Sequence, residues 1–78
     1  MDRAMWKQHL ALAERQVLEC TRRVARQRQI VAELEGDDDD ATRAQALLAQ
    51  LELVLKFQLQ ERDRLQADLA QGGTPLPA

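Results

Sequence analysis

With 78 residues and 8.9 kDa, the chain has room for one small domain. It has no Ser, Asn or Tyr and a single Cys and His, which excludes a serine nucleophile, a disulfide framework and a four-ligand zinc site. A net charge of −2 with a pI near 5.3 argues against general polyanion binding, while a composition rich in Leu, Ala, Gln, Arg and Glu matches long helices and coiled coils.

The N-terminal ten residues, MDRAMWKQHL, are polar and lack an apolar run, so no signal peptide is expected. No stretch approaches the roughly 20 apolar residues needed to span a bilayer. The lone Cys20 fits a reducing compartment, and the expected location is the cytoplasm.

A first helix is expected from about residue 3 to residue 35, where no Gly or Pro interrupts a run of strong helix formers. Its apolar seam advances in alternating steps of four and three: Trp6, Leu10, Ala13, Val17, Cys20, Val24, Gln27, Val31 and Leu34. Gln27 is the one polar member. Gly36 then stands where a left-handed residue ends a helix.

A turn is expected over residues 36–40. The run Asp37, Asp38, Asp39 and Asp40 can cap the next helix and complements its positive end. A calcium loop would need spaced ligands and a distal Glu, which four contiguous Asp do not supply.

The second helix is expected over about 40–71, with a seam of Ala44, Leu48, Leu51, Leu55, Gln58, Arg62, Leu65 and Leu69. Arg62 is a seam charge, and its head should reach Glu14 or solvent. Residues 72–78, with Gly72, Gly73, Pro75 and Pro77, read as a flexible tail.

Two helices of similar length joined by a short turn must lie antiparallel, so residues whose numbers sum to about 75 should face one another. The hairpin, residues 1–71, is therefore all-α. Trp6 should cap its open end against Leu65 and Leu69. Cys20 should be a small buried hydrophobe, and His9 a rim residue without a nucleophile or substrate pocket beside it.

The second helix carries more apolar surface than one neighbour can cover. At about 100° per residue, Ala46, Leu53 and Phe57 fall far from the seam, with Leu47 and Val54 on the flank between. On the first helix, Met5, Leu12 and Ile30 lie on one flank and Leu18 on the other. A stripe of this kind marks an interaction surface. The expected architecture is an antiparallel coiled-coil hairpin that dimerises into a four-helix bundle through Leu12, Leu18, Ile30, Ala46, Leu47, Leu53, Val54 and Phe57. The expected function is non-catalytic: self-association or protein–protein interaction as a small regulatory adaptor, with no cofactor or metal. A hetero-partner is the alternative occupant of the same stripe.

The first 36 residues hold seven basic and five acidic residues, net +2, and the remainder four and eight, net −4. Arg15, Arg22, Arg23, Arg26 and Arg28 concentrate the positive charge on the first helix. They could contact phosphates of a nucleic acid. The competing reading is a solvated face laced with ion pairs such as Glu19–Arg23, four residues apart. The acidic balance and the lack of a base-reading motif favour the solvated face.

The segments Glu14 to Glu35 (ERQVLECTRRVARQRQIVAELE), Gly36-Asp37, Ala44 to Leu55 (AQALLAQLELVL) and Asp63-Arg64 resemble small bacterial helical-hairpin proteins of unknown function. The resemblance implies the hairpin fold and carries over no activity, cofactor or functional residue.

Overall fold

The computed structural model describes residues 2–34 and 38–71. Two helices account for nearly all of them: α1, Arg3–Glu33, and α2, Asp39–Ala70. Gly36, Asp37 and the segment 72–78, on which the expected turn and tail fall, lie outside the described residues.

Each helix begins on an aspartate. Asp2 accepts a hydrogen bond from the Met5 N–H at 2.8 Å, and Asp38 accepts one from the Ala41 N–H at 2.8 Å. Both have extended backbone and a side chain that satisfies one of the donors a helix start leaves open. Asp39 and Asp40 follow in the first turn of α2, where negative charge faces the positive end of the helix dipole. The run of aspartates is thus a helix start, with Asp38 as the cap and Asp39 as the first helical residue.

α1 ends at Glu33, two residues short of the expected Glu35. The backbone leaves helical geometry at Leu34 (φ −90°, ψ 104°), although its N–H still bonds the Ile30 and Val31 carbonyls. Leu34 stays half-buried as the last residue of the seam.

The eight seam positions of α1, from Trp6 onward, and the ninth, Leu34, are buried or half-buried, and every other described residue of that segment is exposed. All eight seam positions of α2 are likewise covered; Ala41, Leu59 and Asp68 join them. The most buried hydrophobic residues are Ala13, Cys20, Val24, Ala41, Ala44 and Leu65. Five of these six are small. Small side chains let two helix axes approach closely, and the polar side chains of the seam exploit that approach. Gln27, 7% exposed, donates from Nε2 to the Ala44 carbonyl at 2.9 Å. Cys20 Sγ lies 3.7 Å from the Leu51 carbonyl, which accepts its S–H.

These contacts establish the antiparallel register. A helix carbonyl points along the axis toward the N–H four residues on. The Ala44 carbonyl is therefore aimed toward Leu48, and the Leu51 carbonyl toward Leu55. Gln27 faces the level of Leu48 and Cys20 that of Leu55, the pairing expected from folding about the turn. At the open end, Arg3 Nη1 reaches the Leu69 carbonyl at 3.4 Å.

Two buried polar atoms have no partner among the described residues: Trp6 Nε1 and Gln58 Oε1. Gln27 and Gln58 thus differ. One ties the helices together, and the other brings an acceptor into the seam without a donor. Replacing Gln58 with Leu should raise stability by about 1 kcal/mol, because an unpaired buried acceptor is costly. Gln27→Ala should lower it by about 1–2 kcal/mol through a lost bond and a void. Thermal unfolding followed by circular dichroism reads both. Equal responses of the two variants would contradict this difference between Gln27 and Gln58.

Candidate interaction surface

The hairpin is thin, with extents of 53 × 23 × 14 Å and a radius of gyration of 17.2 Å. A compact chain of this length would have a radius near 11.5 Å. The exposed area is 6077 Å², against roughly 4,800 Å² for a compact monomer of the same mass, an excess of about 1,300 Å².

Much of what remains uncovered is apolar. Met5, Leu12, Leu18, Ile30, Leu47, Leu53, Val54 and Phe57 are all exposed, from 37% for Ile30 to 59% for Phe57. Ala46 is exposed beside them in sequence. α2 positions its share through helical spacing. Ala46, Gln50, Leu53 and Phe57 recur every four or three residues, and Leu47 and Val54 lie one residue further round, between that row and the buried seam.

The Arg28–Glu52 ion pair, 3.1 Å between Nη2 and Oε2, shows which flanks of the two helices adjoin. It sits on one side of the hairpin. At about 100° per residue, Met5, Leu12 and Ile30 of α1 and Leu47, Val54 and Phe57 of α2 fall on the other side. Ile30 belongs to the turn end, at the level of Leu47. Leu12 is eighteen residues from Ile30, about 27 Å along the helix. Leu18 lies on the opposite flank, apart from the rest. The eight expected interface residues are therefore all exposed but are not one patch. α2 and Ile30 supply its continuous part.

The charged residues take different positions from those expected. Arg28 is paired across the hairpin with Glu52. Arg15, Arg22, Arg23 and Arg26 are exposed and form no ion pair among the described residues. The Glu19–Arg23 pair expected from four-residue spacing is absent among them: exposed side chains gain little from holding one geometry. Arg62 keeps its stem in the seam, but its head turns to Asp63, with Nε at 3.1 Å and Nη2 at 2.9 Å. A carboxylate one residue away costs less chain ordering than Glu14 across the hairpin.

Near the C-terminal end of α2, Arg64 bonds Glu61 through two nitrogens, Nε at 3.1 Å, and its Nη1 lies 3.8 Å from Asp68. The hydrogen bonds from Arg64 hold the Glu61 carboxyl below its ordinary value of 4.5, with a small further contribution from His9 of α1. No group of three or more His, Cys, Asp or Glu side chains is placed to hold a metal ion among the described residues. None of the described helices is long and apolar enough to cross a membrane.

Inspection of the sequence picked out the apolar members of the exposed row on α2 but not its polar continuation, Asp39, Arg43, Gln50, Gln60 and Arg64. The four-and-three spacing that links Ala46 to Leu53 and Phe57 passes through Gln50 and, extended in both directions, reaches the other four.

No protein-family model, curated protein or solved structure matches the chain.

Since the folded state holds Glu61 more acidic than the unfolded chain, its pair with Arg64 stabilises above the ordinary carboxylate value. That contribution is lost as pH falls through the lower, folded-state value. Glu61→Gln should shift thermal unfolding only slightly at neutral pH, because both side chains of the pair are exposed. It should also make the decline in Tm between pH 5 and pH 3 shallower than in the parent chain. Parallel acid profiles for the two proteins would contradict the coupling.

Proposed function

We propose that the chain is a non-catalytic association module, a small regulatory adaptor that dimerises through α2 into a four-helix bundle. One observation carries this reading: four large apolar side chains of α2, Leu47, Leu53, Val54 and Phe57, are 45–59% exposed on a helix whose other face is already occupied. Apolar residues over most of a helix's circumference indicate partners on more than one side. The arc reaches from Phe57 to the flank beside α1, and Ile30 extends it onto α1.

A second copy is the occupant that fits best. Specific pairing removes about 800 Å² from each partner, within the excess area that the hairpin exposes. A closed two-fold dimer is the commonest assembly for a small chain, and association is the usual remedy where a domain this size buries too little of itself. Phe57→Asp should convert the dimer to monomer with helix content kept. Sedimentation equilibrium and far-ultraviolet circular dichroism measure the two properties. A Phe57→Asp chain that remains dimeric would remove α2 from the interface, and a strictly monomeric parent at high micromolar concentration would favour a hetero-partner.

One observation favours a second reading, contact with nucleic-acid phosphates: Arg15, Arg22, Arg23 and Arg26 are exposed and without carboxylate partners among the described residues. The overall negative charge opposes it. On this reading a labelled duplex or single strand shifts at low salt, and Arg22→Glu with Arg26→Glu abolishes the shift. Absence of binding at low salt would eliminate it.

A further inference from the structure

One row of residues on α2 follows four-and-three spacing for almost the whole helix without meeting α1: Asp39, Arg43, Ala46, Gln50, Leu53, Phe57, Gln60 and Arg64. All eight are exposed. The row is a second seam on the side of α2 away from the occupied one, and its contents are not symmetric. Acid begins it and base ends it. A small residue, Ala46, lies as far before the midpoint as the largest, Phe57, lies after it.

We infer that a second copy docks antiparallel along this row, across a two-fold axis between Gln50 and Leu53. Ala46 then meets Phe57 of the second copy, and Asp39 meets Arg64 of the second copy. The inference rests on the self-association proposed above and specifies its geometry, an open four-helix assembly with the two α2 helices at its centre, because the row lies far round the helix from α1.

Each two-fold pairing occurs twice. Phe57 of either copy enters the space left by the Ala46 methyl of the other, a large side chain facing a small one as close packing requires. Gln50 faces Leu53, and Arg43 faces Gln60. On the flank toward α1, Leu47 meets Val54. That flank also brings Asp40 toward Glu61, and Arg43 and Arg64 supply positive charge beside both. Arg64 already bonds Glu61 and lies near Asp68. Its planar guanidinium carries five donors, so a further carboxylate can join.

Other arrangements of the same row are worse. A parallel pairing sets Asp39 on Asp39, Arg43 on Arg43, Arg64 on Arg64 and Phe57 on Phe57. Slipping the antiparallel pair by one heptad sets Arg43 on Leu53, or Arg64 on Ala46. Only the central register keeps the apolar residues together and the charges at the ends, where they exclude alternatives more than they add affinity.

The test uses disulfide trapping in a Cys20→Ala background whose helix content is checked first. Asp39→Cys and Arg64→Cys chains are oxidised separately and as a mixture. The mixture should yield the 39–64 linked dimer at roughly tenfold or more over either self-linked product, reflecting the high effective concentration of facing thiols. A second measurement leaves Cys20 in place: Phe57→Ala should weaken dimerisation roughly 30-fold, and adding Ala46→Phe should recover most of it. Predominance of self-linked products would overturn the antiparallel arrangement. A dimeric parent with no linkage in the mixture, or with no recovery in the size swap, would place the interface on another face and leave self-association standing. A monomeric parent chain would remove both.

Discussion

Two helices share only one contact, and that limit governs everything else in this protein. Each can bury a single stripe against the other, and here the stripe is built largely from Ala13, Cys20, Val24, Ala41 and Ala44. Small residues bring the axes together but remove little apolar area apiece. Leu65 is the one large aliphatic side chain in the most buried set. Leu47, Leu53, Val54 and Phe57 of α2 are left facing outward, and the chain holds more surface than a compact molecule of its mass.

The same close approach gives the seam its polar character. Gln27 and Cys20 reach across to main-chain carbonyls of α2 because no bulky side chain intervenes. A bond from a side chain to a fixed carbonyl selects one register, whereas apolar contacts tolerate sliding by a heptad. Toward the open end the pattern loosens. Gln58 brings in an acceptor without a donor, and Arg62 keeps its stem in the seam while its charge turns outward to Asp63. The register is thus held from the middle of the hairpin toward the turn.

Charge acts locally in α2 and at longer range in α1. The acids and bases of the last turns of α2 satisfy one another within a few residues. On α1 only Arg28 forms an ion pair across the hairpin among the described residues. Such exposed pairs contribute little to stability, so the distribution bears on which surfaces approach one another rather than on whether the helices form.

Much of the fold was legible in the sequence. Uninterrupted helix formers between glycines set two helices, and the four-and-three spacing named every seam position that the structure covers on α1. The apolar members of the exposed row were legible for the same reason: helical periodicity assigns each residue to a face regardless of what lies opposite. Tertiary structure decided the rest. It selected Asp38 as the cap, ended α1 at Glu33, turned Arg62 to Asp63 instead of Glu14, and gave Gln27 a partner while leaving the Gln58 oxygen without one. These depend on distances between two particular helices, which a periodicity carried by either helix alone does not contain.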